Sequence, residues 1–220
     1  MTTQYVEYSG KIMFPPRPSR KIPPEKVADY ESKGYFSQFK FNGTRTLVEF
    51  KDGKINLWTR HKAPHKQYKL TKGMESNLKR IQETLGPDES HILDGELMHS
   101  KTKGLKDTLI LFDLLVYKNE YLLDTKALER YLLLQAILDE PDCRESVTGK
   151  RIAIKVMEHV WLAETFCTNF EDRFNHAIEL DEVEGLVLKK VVGKLERGFR
   201  EENNGSWLIR CRKPHKNYGF

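Results

Sequence analysis

The stretch Phe39-Lys40-Phe41-Asn42-Gly43-Thr44-Arg45 sets a lysine between two phenylalanines, with a short polar residue and a glycine straight after it. The apolar neighbours point to a strand running into a tight turn, with the lysine held at its end. Desolvation disfavours an ammonium ion, so a lysine placed this way is biased towards the neutral amine, which is a nucleophile. Gly43 lets the backbone turn closely or approach a ligand where a side chain would clash. Arg45 adds a fixed cation suited to phosphate or ribose oxygens. Taken alone, these residues also describe a strand–turn–strand with an exposed lysine and arginine, so the rest of the chain has to decide.

Polar residues recur where apolar runs end. They are Thr59-Arg60, Asp94-Gly95-Glu96, Phe112-Asp113 and Glu184-Gly185-Leu186-Val187-Leu188-Lys189, then Trp207-Leu208 followed by Arg210, Arg212 and Lys213. Carboxylates and cations on different strands can converge on one bound anion. His61 and His65 are four apart, but no helix or nearby carboxylate accompanies them, which makes a poor metal site.

The elements that must position these groups follow from pattern. Five prolines in residues 11–24 read as an extended, irregular segment. Pro23 and Pro24 suit the first turn of a helix over 25–32, which Gly34 would close. Strands are expected over 35–41, and over 44–51 and 54–59 as a hairpin about Asp52-Gly53. Helical spacing over 74–85 ends at Gly86-Pro87. Further strands are expected over 92–98, 109–117, 151–156, 185–191 and 206–213. Further helices are expected over 125–138, capped by Asp124, and over 169–180. Residues 193–205 form a charged, glycine-bearing loop. Helices interspersed with tight hairpins predict an α+β fold with a largely antiparallel sheet. The organisation expected is a Pro-rich basic segment and helix over 1–34 and one domain over 35–220.

At 220 residues the chain can bury one substantial core. No apolar run is long enough to cross a bilayer, and residues 1–5 lack the regions of an export signal. Cys143, Cys167 and Cys211 are odd in number and widely spaced, which fits a reducing cytoplasm rather than a disulfide framework. The net charge of +5 is modest, but it is concentrated. Lys189, Lys190, Lys194, Arg197, Arg200, Arg210, Arg212, Lys213 and Lys216 crowd the C-terminal part, and Arg17, Arg20 and Lys21 lie in the Pro-rich segment. Such clusters favour a polyphosphate partner through counterion release.

Taken in order, the strand-end motifs from Lys40 to Lys213 resemble the covalent nucleotidyltransferases: ATP-dependent DNA ligases, RNA ligases and mRNA-capping guanylyltransferases. The resemblance covers roughly residues 35–213. It implies a nucleotidyltransferase (adenylation-domain) fold of ATP-grasp-like antiparallel sheets flanked by helices. It also implies ATP and Mg²⁺ (or Mn²⁺) as cofactors and nicked duplex nucleic acid as partner, sealed 5′-phosphate to 3′-hydroxyl through a lysyl-AMP. By that resemblance Lys40 is the nucleophile, Glu184 and Lys189 its catalytic partners, and Glu184 and Glu96 the candidate metal carboxylates. Arg45 and Arg60 match positions that hold phosphate and ribose, Glu96 the ribose contact and Phe112 the stacking aromatic. Gln38 is placed to read the adenine amino group. Arg210, Arg212 and Lys213 are all candidates for the last motif, whose register the sequence leaves open. Arg17, Arg20, Lys21, Lys194, Arg197, Arg200 and Lys216 are the expected nucleic-acid contacts.

Asn42 stands where the family commonly has aspartate. The chain stops seven residues after the last motif, without a C-terminal OB domain, and the expectation is a natural single-domain, monomeric enzyme, unsurprising in a virus. DNA is slightly favoured as substrate. RNA or hybrid nicks, a GTP-dependent capping reaction and a catalytically inactive binding module are the alternatives.

Overall fold

A computed structural model describes residues 6–66, 68–101, 104–138, 152–196, 198–199 and 203–214. The strands are β1 (Val6–Glu7), β2 (Arg17–Ile22), β3 (Tyr35–Phe41), β4 (Thr44–Lys51), β5 (Lys54–Thr59), β6 (His91–Met98) and β7 (Thr108–Tyr117). They continue as β8 (Glu120–Tyr121), β9 (Ala153–Lys155), β10 (Val160–Ala163), β11 (Thr165–Phe166), β12 (Val183–Lys190) and β13 (Asn204–Arg212). The α-helices are α1 (Lys72–Leu85), α2 (Ala127–Leu138) and α3 (Phe170–Ile178).

Two sheets result. One runs β1-β8-β7-β6-β4-β5, with β10 added to β7 and β9 to β10; the other runs β11-β3-β12-β13-β2. Pairing is antiparallel except for β10 on β7 and β2 on β13, so the expected α+β class holds. The chain crosses from one sheet to the other at Asn42-Gly43, directly after Lys40. A Cβ on Gly43 would lie 2.6 Å from the Leu97 carbonyl oxygen, so only glycine lets the crossing lie this close to β6.

Local sequence accounts for the elements that were expected. Asp52 and Gly53 both take positive φ, as a two-residue hairpin turn demands. The Thr71 hydroxyl accepts from the Met74 amide and caps α1, a contact worth about 1 kcal/mol. Met74, Leu78, Ile81 and Leu85 then form its buried stripe against β4, β6 and β7. β7 is buried on both faces apart from Phe112 and Tyr117, which explains its nearly unbroken apolar run. α3 covers the five-stranded sheet through Phe170, Phe174 and Ala177. Between the sheets, Phe36, Leu47, Leu115, Trp207 and Leu208 share a core.

Several expectations need correction. Residues 17–22 are not irregular but form β2. Pro18 is tolerated because β2 is an edge strand, where a missing N–H breaks no ladder on its outer side. The helix expected over 25–32 is two 3₁₀ stretches, Pro24–Lys26 and Ala28–Lys33, although Gly34 does close the second in the left-handed region. α2 begins at Ala127 rather than residue 125. β1, β8, β10 and β11 had no signal in sequence, being two to four residues long. No helix among the described residues is long and apolar enough to cross a membrane.

Candidate active site

A cleft of about 900 Å³ opens where the two sheets meet at the crossover. β3 delivers Lys40 to its wall, opposite Gly185 of β12. Gly185 has φ +136°, and a Cβ there would sit 2.1 Å from the Cys211 carbonyl oxygen, so β12 can bend here only with glycine. The pairing of β12 with β3 shifts register at this point. The bend carries Glu184 to Lys40: the ammonium Nζ lies 2.7 Å from Glu184 Oε2, and Arg212 Nε is 3.1 Å from the same oxygen. Burial works against the charge on Glu184, but Lys40, Arg212 and Lys101 together outweigh it and hold the carboxyl below its usual range.

The opposite wall comes from β4, β6 and β7. Arg45 Nε donates to Asp94 Oδ1 at 2.7 Å, its Nη2 to Asp94 Oδ2, and the same Nη2 to the Pro16 carbonyl at 3.0 Å. Burial opposes the Arg45 charge, and Asp94 with Glu96 and Asp113 overcomes it. Much of the guanidinium is therefore committed to protein partners. Glu96, across the β4–β6 ladder from Arg45, has its pKa pushed up to about 7. Burial dominates that shift, against the pull of Lys40, Arg45 and Lys101.

Phe112 lines the cleft with the Arg45 guanidinium 4.8 Å and the Lys189 ammonium 5.0 Å from its ring centre. Lys189 is only 6% exposed and donates to the Phe112 carbonyl at 3.1 Å. Burial lowers its pKa to about 8, with Asp113 pulling the other way. Behind this wall Arg130, fully buried, donates Nε and Nη2 to the two Asp113 oxygens at 2.8 and 3.0 Å. Its Nη1 donates to the Thr125 carbonyl at 2.6 Å.

Gln38, Arg60, Arg210 and Arg212 also line the cleft. Arg60 is exposed and donates Nε to His61 Nε2 at 3.0 Å. Lys213 does not line the cleft: its Nζ donates to the Leu180 carbonyl at 2.7 Å. In the last motif it is Arg210 and Arg212, alternating along β13, that line the cleft.

Of the expected nucleic-acid contacts, Arg17 lines the cleft and donates Nε to Asn204 Oδ1 at 3.0 Å. Arg20 and Lys21 are exposed along β2 beside Ile209 and Arg210 of β13. Lys194 instead pairs with Asp124 at 3.3 Å, away from the cleft. Arg197, Arg200 and Lys216 lie outside the described residues.

Lys101 had no signal in sequence. It follows β6, donates to the Gly43 carbonyl, lines the cleft and acts on both Glu96 and Glu184. Asp94 was seen only as part of a motif, and the structure makes it the anchor of Arg45. Among the described residues, no group of three or more His, Cys, Asp and Glu gathers as a metal cage.

No protein-family model matches the chain, and no curated protein sequence matches it. Solved structures do match its backbone. Mycobacterial DNA ligase D complexed with ATP and MES is 16% identical with a TM-score of 0.59, over 94% of this chain and 62% of that one. The ligase domain from M. tuberculosis LigD is 17% identical with a TM-score of 0.56, over 93% and 60%. A third, Pmar-Lig_PreS3, is 18% identical with a TM-score of 0.57, over 92% and 47%.

The chain has the ligase-domain fold. It spans less than two thirds of the length of each of these ligase-fold structures. Within this ligase fold, the crossover between the sheets is where Lys40, Glu184 and the cationic wall come together.

Proposed function

We propose that the chain is the adenylyltransferase of an ATP-dependent polynucleotide ligase, with DNA favoured over RNA. The observation that carries this reading is Lys40 Nζ, 2.7 Å from Glu184, on the wall of a cleft rich in arginine and lysine. Support for DNA comes from the DNA ligase whose backbone this chain matches. The chain acts as one unit, with the basic segment of residues 1–34 joined to the sheet through β2. It works as an intracellular monomer on nicked duplexes.

ATP binds with its adenine on Phe112 and beside Gln38, and its ribose near Glu96. Its phosphates lie among Arg60, Lys189, Arg210 and Arg212. Glu184 is placed to take a proton from Lys40, within hydrogen-bond reach. The Lys40 amine then attacks the α-phosphorus; a P–N bond forms and the P–O bond to pyrophosphate breaks. A 5′-phosphate oxygen next displaces Lys40 from the adenylate. Finally a 3′-hydroxyl attacks the activated phosphate and AMP leaves.

Glu96 and Glu184 both line the cleft and offer the carboxylate oxygens a hard divalent cation takes, so they are the side chains that would hold Mg²⁺ or Mn²⁺. That cation would offset charge on the phosphates.

The test is incubation with α-labelled ATP or GTP and Mg²⁺, followed by a denaturing gel. Label from ATP is expected on the wild type and is lost in Lys40→Ala with the fold intact. Label from GTP alone would point to capping, and label persisting in Lys40→Ala would refute the nucleophile.

A further inference from the structure

Three segments far apart in sequence share part of the cleft wall. Phe14 and the residues that follow it come from the Pro-rich segment, Thr59-Arg60-His61 from the turn after β5, and Asn203 and Asn204 from the chain entering β13. Backbone bonds join the first to the third. The Phe14 amide donates to the Gly198 carbonyl at 2.7 Å, and the Arg17 amide to the Asn203 carbonyl at 3.0 Å.

Lys62 ties the turn after β5 to both. Its Nζ donates to the Phe199 carbonyl at 2.6 Å and lies 4.1 Å from the centre of the Phe14 ring. A cation over an aromatic face is drawn to the ring quadrupole, more strongly where water is excluded, and Lys62 is half-buried. The turn itself is tight: Lys62 has φ +60°, its amide donates to the Thr59 carbonyl at 3.0 Å, and the Thr59 amide donates to the Ala63 carbonyl at 2.8 Å. Holding Lys62 therefore holds Arg60, two residues earlier. Lys62 does not itself line the cleft.

Arg60 depends on such a hold more than the other cleft cations do. Arg45 is anchored on Asp94 and Lys189 on the Phe112 carbonyl, both within the sheets. Arg60 is exposed and donates to His61, its neighbour on the same turn. A bond inside the turn cannot fix where the turn lies over the cleft.

We propose that Lys62 is a positioning residue: it clamps the turn after β5 to Phe14 and Phe199 and so holds Arg60 where the ATP phosphates bind. This rests on the cleft taking ATP as proposed above, and not on Lys40 being the nucleophile.

Initial rates of protein labelling from α-labelled ATP give KM and kcat, calorimetry gives the ATP Kd, and thermal unfolding is recorded for each variant. Lys62→Met keeps an unbranched stem against Phe14 and removes the ammonium, and it bears the positive φ as lysine does. KM and Kd for ATP should rise about tenfold. The value of kcat should change little, because a cation on the phosphates is engaged before the attack as well as during it. Lys62→Arg, whose guanidinium also donates to a carbonyl and stacks on a ring, should restore most of the affinity. In an Arg60→Ala background Lys62→Met should add less than about twofold, since nothing is left for it to position. A general loosening of the fold would add the same factor in both backgrounds and would not be rescued by arginine.

Unchanged KM and Kd in Lys62→Met, or equal factors with and without Arg60, overturn the proposal. Should Lys62→Met fail to fold, Lys62→Gln, which keeps a donor for Phe199, takes its place in the same cycle. A wild type that binds ATP without being labelled overturns the transfer reading alone, and the Kd cycle still decides on Lys62. A wild type that binds no ATP overturns both.

Discussion

Glu184 holds two cations on one oxygen, and Glu96 holds a proton more tightly than an ordinary carboxyl. The second feature has a consequence for stability. The folded pKa of about 7 lies above the unfolded value near 4.3. The folded state therefore binds more protons, and the contribution is fully present at low pH and lost as pH rises through that window, levelling off above it. Glu96→Gln removes the titration. Its melting temperature should exceed that of the wild type at pH 8, and the excess should shrink towards pH 5. An excess independent of pH would mean that the Glu96 carboxyl is not carrying this proton. Among individual residues that line the cleft, Lys40 and Arg45 stood out by type and spacing, and Glu96 by the order of the strand-end motifs. Lys101 did not, because a lone lysine in a loop looks the same whether it faces solvent or a carboxylate pair.

At the scale of elements, the bend of β12 and the tie between α2 and β7 set the geometry of both walls. Gly185→Ala must clash with the Cys211 carbonyl and hold a strained φ, at a cost on the order of 3 kcal/mol. Chemical denaturation should register that loss. Labelling should also fall at temperatures where the variant is folded, because Glu184 can no longer meet Lys40. Asp113→Ala would leave Arg130 charged and buried among β7, α2 and Trp207. Breaking a buried pair in this way costs roughly 3–5 kcal/mol, and the same denaturation curves measure it. The hairpin of β4 and β5 was readable from its Asp52-Gly53 turn, helix α1 from its helical spacing and strand β7 from its apolar run. The pairing of β2 with β13 was not, since prolines suppress a strand signal and only an edge position accommodates them.

For the whole molecule, positive charge continues beyond the cleft along β2, where Arg20 and Lys21 are exposed next to β13. If this edge follows a duplex backbone, each phosphate contact contributes a salt-dependence slope of about 0.9. The double substitution Arg20→Ala, Lys21→Ala should then weaken binding of a nicked duplex and reduce the slope by up to about 2. Labelling of Lys40 from ATP should stay unchanged, because neither residue lines the cleft. An unaltered slope would place the duplex on another face.

Residue types and their order along the chain determined that a lysine, carboxylates and arginines stand at the ends of successive strands. Hydrophobic periodicity determined that those strands and helices make an α+β core. These are local properties, carried by neighbours a few positions apart. Tertiary structure alone decided which polar groups meet. Lys40 and Glu184 are joined by a strand pairing across more than a hundred residues, and Arg212 lines the cleft while Lys213 does not. Thr165 reaches Gln38 because β11 closes the edge of the sheet. Long-range pairing and burial set those contacts, and neither leaves a mark in short-range spacing.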